Sequence, residues 1–169
     1  MEENTTTDMI GRITADIIRR IDTLGFFAYV AEDWGQLNEE IPAVSWPCVL
    51  VDINAVDYSD QGRRIQQADA ILTITVADVQ HFTIGAQTPD DVASRENSIH
   101  GHIQAIHNAI HGQGTADYSP PMRKSRRKSG QWTGIKAYDI SYMLAFTDAQ
   151  PAPVTTPVHP QLDMDMGMQ

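Results

Sequence analysis

Six histidines are the residues best suited to chemistry in this chain, and four of them, His100, His102, His107 and His111, stand close together. His107 and His111 are one helical turn apart and His100 is two turns before His107, so a helix here would line three imidazoles along one flank. A pair at that spacing can chelate zinc. No glutamate follows His107 in the manner of a metalloprotease helix, and the nearest acidic residue, Asp117, lies past the expected helix end. The spacing therefore reads first as a polar helix flank or a subunit contact, with a metal-dependent enzyme using His100, His107 and His111 as the alternative. Cys48 is the single cysteine and sits in an apolar run, which excludes an internal disulfide and Cys-rich zinc motifs and suits a buried small hydrophobe. Glu39 with Glu40 reads as a polar loop, and Asp90 with Asp91 as the first turn of a helix, so neither pair is offered as a general acid and base. There is no phosphate-binding glycine loop, dinucleotide fingerprint, Gly-x-Ser-x-Gly elbow or Cys-His nucleophile motif. The expectation is a non-enzymatic protein with no catalytic, cofactor-binding or metal-ligating residues.

Charge is more informative. Lys and Arg number 12 against 22 Asp and Glu, a net charge of -10, so the molecule as a whole repels nucleic acid and anionic membrane surfaces and any such contact must be local. Arg123, Lys124, Arg126, Arg127 and Lys128 supply 5 of the 12 positive charges, leaving 7 against 22 in the rest of the chain. Three readings follow. The cluster contacts nucleic acid, with Tyr118 and Trp132 near enough in sequence to stack on bases; or the basic arm of one copy docks on the acidic body of the next, a head-to-tail contact that closes into a ring if the rotation permits; or it is a solvated loop.

These residues need a scaffold. The length of 169 residues, 41% hydrophobic and 20% charged, allows one ordinary domain with tails and too little chain for two good cores. Residues 1–8 are acidic and polar, and nowhere do about 18 apolar residues run together, so neither export nor a membrane span is expected. Ile10, Ile13, Ile17, Ile21 and Leu24 recur at three and four and predict an amphipathic helix, capped by Thr7, with Arg19 and Arg20 near its negative end and Gly25 as its left-handed stop. Residues 26–30 predict a first strand, residues 46–53 a second, covered on both sides, with Pro47 near its start or an edge, and residues 64–76 a long third strand. Thr88 as cap, Pro89 at the first position and the stripe Val92, Ile99, Ile103, Ile106 and Ile110 predict a second helix ending at Gly112. Residues 131–146 predict a last strand with Trp132, Tyr138, Ile140, Tyr142, Leu144 and Phe146 facing inward. The expected fold is α+β: a largely antiparallel four-stranded sheet with two helices on one face, in the order α-β-β-β-α-β. It forms one domain over residues 1–148 with a Pro- and Met-rich C-terminal extension, 149–169. Residues 113–130, the long arm before the last strand, and 54–63 have no pattern of their own.

The start Met-Ile-Gly-Arg-Ile-Thr-Ala-Asp-Ile-Ile (9–18), the strand Pro-Cys-Val-Leu-Val-Asp-Ile (47–53), the alternating Ala-Ile-Leu-Thr-Ile-Thr-Val (70–76), the Ile-rich second helix and a last strand ending Tyr-Met-Leu-Ala-Phe (142–146) resemble the tail-terminator, or tail-completion, proteins of long-tailed bacteriophages. The likeness is one of pattern and size and covers residues 8 to about 148. It implies a virion protein of the tail or neck, made in the host cytoplasm. Such a protein forms a six-fold homo-oligomeric ring on the tail tube, stops tube growth and offers a surface to the head-side connector, with DNA passing through the lumen. Another head-tail connector or neck component is the close variant, and a small nucleic-acid-binding module working through residues 123–128 is the alternative from a different class. The resemblance gives a use to the segments left over. Residues 54–63, with Tyr58 and Arg63, or the arm with Arg123, Lys124, Arg126, Arg127 and Lys128, would make the subunit or lumen contacts, and the C-terminal extension could wrap a neighbour.

Overall fold

The computed structural model describes residues 8–62, 65–130 and 132–149, so the expected cap Thr7, Arg63 and residues 150–169 of the extension lie outside the described residues. The first helix, α1 (Met9–Asp22), buries Ile13, Thr14, Ile17 and Ile21, with Arg19 and Arg20 in its last turn. Asp8 occupies the N-cap position, and Gly25 at φ 72° takes the left-handed conformation that ends the segment. The isoleucine stripe thus folds as its period dictates, because one apolar face must leave water.

Strand β1 (Tyr29–Glu32) pairs in parallel with β2 (Cys48–Gly62), so the sheet expected to be largely antiparallel is mixed, with its other three pairings antiparallel. The cause is the connection. Residues 33–47 are long enough to carry the chain back to its starting end, as a parallel pair requires. They include a short 3-10 turn, Gln36–Asn38, whose buried Gln36 side chain donates to the Glu32 carbonyl (2.7 Å) and accepts from the Trp34 N–H (2.9 Å). β2 then forms a long antiparallel hairpin with β3 (Ile65–Val79), so most of residues 54–63, expected as a patternless loop, is strand. Its outer half is exposed and rich in Asp, Asn and Ser, and β3 holds it extended where its own composition does not.

The expected single second helix is two. α2 (Asp90–Glu96) buries nothing, the chain breaks at Asn97 (φ -93°, ψ -1°), and α3 (Ser98–Ile110) buries Ile99, Ile103, Ile106 and Ile110. Pro89 is the cap rather than the first helical residue, and the Thr88 hydroxyl accepts from the Gly85 N–H (2.7 Å), closing the preceding turn instead of capping the helix. Gly112 (φ 74°) follows α3 as expected. Within the arm, Met122–Ser129 forms β4, which pairs antiparallel with the last strand, β5 (Ile135–Ala149). Among the described residues the result is a five-stranded mixed sheet in the order β1-β2-β3-β5-β4, with three α-helices in an α+β fold.

Register assigns the two faces, because directly paired residues share one. Val51, Ile74, Ile140 and Arg126 form one row, flanked by Val49, Val76, Tyr138 and Lys128 and by Ile53, Leu72, Tyr142 and Arg123. This face meets the isoleucines of α1 and α3 in the main core. On the other face, Cys48, Leu50, Ala77 and Ala137 pack beneath Leu37, Val44, Trp46 and Trp132, so Trp132 serves this smaller cluster and not the inward face expected of it. Beyond that cover the sheet is open, with Ile71, Met143 and Met122 exposed in one row across three strands. Among the described residues no helix is long and apolar enough to cross a membrane.

Candidate interaction surface

The basic cluster is an edge strand. β4 lies at one end of the sheet, and Arg123, Lys124, Arg126, Arg127 and Lys128 are all exposed along it. A register shift between Arg123 and Ser125 leaves Lys124 as an extra residue opposite β5. Arg123, Arg126 and Lys128 extend the core rows on the helix side, and Arg127 stands opposite Asp139 on the open side. The Arg126 guanidinium lies 4.7 Å from the Tyr138 ring centroid and contacts His100 Nδ1. This is the stacked placement that suits a planar cation at an aromatic rim. The Arg123 N–H donates to His111 Nδ1 (3.3 Å). Among the described residues, the other outward backbone groups of β4 have no hydrogen-bond partner.

The three imidazoles of the metal reading do not converge. His100 packs edge-on against Tyr138 (5.1 Å), whereas His107 lies beside His111 (4.4 Å) with Nδ1 3.4 Å from the Tyr142 hydroxyl. Among the described residues, no three His, Cys, Asp or Glu side chains are placed to hold a metal. Burial, Arg123 and His111 lower the pKa of His107, and burial, Arg126 and Lys136 lower that of His100. His100 and His107 are thus held toward neutral imidazole beside fixed cations. His102 points elsewhere, between Phe26 and Phe27 at 5.4 Å from each ring.

Tyr118, expected as a base-stacking partner, is 4% exposed and belongs to the core. Its hydroxyl donates to Asp16 Oδ2 (2.7 Å), which also accepts from Arg20 Nε (2.9 Å), and Arg20 reaches on to the Gln113 carbonyl (3.0 Å). With the Arg12–Asp117 pair (2.7 Å), this network ties the start of the arm to α1. Burial and the bond to Asp16 raise the Tyr118 phenol pKa. Trp132 is partly buried against the smaller cluster on the other face, so Tyr118 is withdrawn from base stacking and Trp132 is engaged by the sheet. Cys48 is buried as expected, and burial, with Asp78 and Asp33 nearby, pushes its thiol up to about 12.

The opposite flank is acidic. Glu32 ends β1, Asp33 follows it, and Asp52, Asp57 and Asp60 lie on β2 where β1 no longer covers its edge. The Asp52 pKa is raised by burial, by Asp33 and by Glu32. Four strand spacings, about 19 Å, separate β1 from β4. No sequence signal announced this pairing of flanks, because Met-Arg-Lys-Ser-Arg-Arg-Lys-Ser carries no apolar alternation and is a strand only through β5. Tyr58 is on the helix side, paired with Ala68 and edge-on to Phe146 (6.4 Å), away from the basic strand. Arg63 lies outside the described residues.

A recess of about 230 Å³ between β3 and α2 is lined by Asp78, His81, Phe82, Arg95, Glu96 and Lys136. Lys136 Nζ there donates to the Glu96 carbonyl (2.7 Å), so its ammonium caps α2.

No protein-family model matches the chain, and no curated protein matches it. Among solved structures it is similar to a chain of the virion of a native gene transfer agent particle. The two are 10% identical with a TM-score of 0.48, over 80% of this chain and 92% of that one.

Proposed function

We propose that this chain is a structural subunit of a phage-like virion that works by self-association and without chemistry, the basic β4 edge of one copy docking on the acidic flank of the next. One observation carries the reading: a single rigid sheet ends in five exposed cations on one side and in Glu32, Asp33, Asp52, Asp57 and Asp60 on the other. A surface of this kind is complementary to its own copy in a head-to-tail sense, and head-to-tail contacts close into rings when the rotation allows. The resemblance to tail-terminator proteins supplies the particular ring: six copies on the end of the tail tube in the tail or neck, meeting the tube protein on one face and the head-side connector on the other. DNA would pass through the lumen. The burial of Tyr118 and the packing of the partly buried Trp132 weigh against the nucleic-acid module, which would have to act mainly through charge.

Light scattering over a concentration series at low and moderate salt, with negative-stain images of the same samples, tests the proposal. Growth toward a holed ring that weakens with salt is expected, since the contact is between exposed charges. Reversing Arg126 and Arg127 to Glu should weaken association about tenfold, or about 1.4 kcal/mol, with the melt unchanged. Association indifferent to salt and to the double reversal, or a strict monomer throughout, would overturn it.

A further inference from the structure

Two stretches of the sheet's rim present backbone that no strand covers among the described residues. One is the outer side of the eight-residue β4, and the other is the outer half of β2. β1 pairs with β2 only from Cys48 to Val51, and the Asp33 N–H closes that ladder on the Val51 carbonyl (2.9 Å). From Ile53 to Gly62, β2 has β3 on one side alone, and this bare length accommodates the whole of β4. Uncovered edges are templates for another strand. The two carry opposite charge, so each suits the other and neither suits itself.

Direction agrees with charge. β3 runs against β2, β5 against β3 and β4 against β5, so β4 is antiparallel to β2. A second copy set beside the first, its strands running the same way and its helices on the same side, therefore offers β2 to β4 as an antiparallel neighbour. Every second register is then allowed, because residues directly opposite share a face. One of these places Arg127 opposite Asp57 and Ser125 opposite Ser59 on the open side, and Arg126 opposite Tyr58 on the helix side. Asp57 calls for a cation. Its partner across the β2–β3 ladder is Asp69, a like-charge pair of the kind that destabilises a sheet, and among the described residues neither carboxylate has an ion pair, nor has Arg127.

The same register sets how far neighbours are displaced. Within one copy Arg127 is level with Leu50, through Asp139 and Thr75. Leu50 and Asp57 pair with Thr75 and Asp69, six residues apart on β3, so each copy slides along the strands by about 20 Å relative to the next. From β2 of one copy to β2 of the next is four strand spacings, about 19 Å. A slide of about 20 Å over that width tilts the strands by about 45°, the upper end of the tilt with which sheets close into barrels.

We propose that copies join through a backbone ladder between β4 of one and residues 55–62 of β2 of the next, Arg127 opposite Asp57, and that the short β1 is the stop that fixes the slide by covering the rest of the β2 edge. The inference rests on the self-association proposed above and gives that contact its register.

The test uses the full chain. Amide hydrogen exchange in the oligomer is compared with the same protein diluted to monomer, and those amides of residues 55–62 and 122–129 that exchange fast in the monomer should slow at least tenfold. In parallel, Ser59→Cys protein is mixed with Ser125→Cys protein and oxidised. Residues opposite one another in an antiparallel ladder lie within disulfide reach, and Cys48 is buried, so a covalent heterodimer is expected. Ser59→Cys mixed with Ser129→Cys, four residues out of register, should give at least tenfold less. Oligomers whose fast amides stay fast overturn the ladder and leave the self-association reading standing. Linkage of position 59 that favours 129 over 125 overturns the register and the slide derived from it. Failure to form oligomers removes both readings.

Discussion

Replacing Tyr118 by Phe removes one hydroxyl and leaves the ring in its core position, so it isolates the bond that ties the arm to α1. The hydroxyl donates to Asp16 Oδ2 at 2.7 Å. A hydrogen bond to a charged group contributes about 1.5–3 kcal/mol. Asp16 keeps Arg20 at 2.9 Å and its side chain is 27% exposed, so water and the guanidinium recover part of the loss. The net cost should be about 1–2 kcal/mol, which for a domain of this length lowers the melting temperature by about 3–6 °C. Thermal unfolding followed by circular dichroism at neutral pH reads the shift. The same bond predicts a pH signature. Burial and Asp16 raise the Tyr118 pKa above its ordinary 10.0, so its contribution is fully present below pH 10 and is lost as pH rises from there through the folded value. The substituted protein should therefore lose less stability on the alkaline side than the parent. An unchanged melt at neutral pH together with an unchanged alkaline limb would refute the anchoring of the arm through Tyr118.

Ile103 is 1% exposed between the helices and the sheet, so Ile103→Asp buries an unpaired charge and should abolish the cooperative melt, while Ile41→Asp, at a position 85% exposed, should cost less than about 0.5 kcal/mol. The Cys48 thiol, pushed up to about 12, should react with a disulfide reagent at pH 8 at least a hundredfold more slowly in the folded protein than in denaturant; comparable rates would contradict its burial. His100 and His107 should titrate below the ordinary 6.5 by NMR, since burial and the neighbouring arginines favour the neutral ring. Because a lowered histidine stabilises above its unfolded value and loses that contribution as pH falls through the folded one, His107→Gln should flatten the acid limb of stability, and midpoints at or above 6.5 would contradict the placement of both rings.

The elements legible in the sequence are those whose burial leaves a period. The stripe Ile13, Ile17 and Ile21, the alternation of Ala68, Ala70, Leu72, Ile74 and Val76, and the run from Tyr138 to Phe146 each bury one face, and each emerged at its expected place. What the sequence hid has a common cause. The outer half of β2 and all of β4 are exposed on most positions and are strands because β3 and β5 hold them, so their residues carry no buried parity to read. β1 was legible only at Tyr29 and Val30, since Phe26, Phe27 and Ala28 of the predicted strand precede it, and its direction was not, because parallel pairing is decided by the length of residues 33–47 and by the packing of Leu37 against Cys48 and Leu50. Tyr118 misled because proximity in sequence to the cations stood in for exposure beside them. Both lie along β5, Tyr118 bridging Phe146 and β4 pairing with residues 137–143, but Asp16 and Arg20 of α1 hold the ring in the core while the cations stay exposed.

The pairing with β5 bears on how the basic strand can serve an assembly. Were residues 123–128 a loose arm, five like charges would hold it extended and a docking partner would have to order it, at a cost of about 1–2 kcal/mol for each residue fixed. Here the ladder with β5 orders the backbone before any partner arrives, and Arg126 is already laid on Tyr138. The remaining electrostatic cost, mutual repulsion along the edge, falls when carboxylates approach. The edge is therefore preorganised for an acidic neighbour and repels its own kind, which directs association head to tail and disfavours pairing of two basic edges.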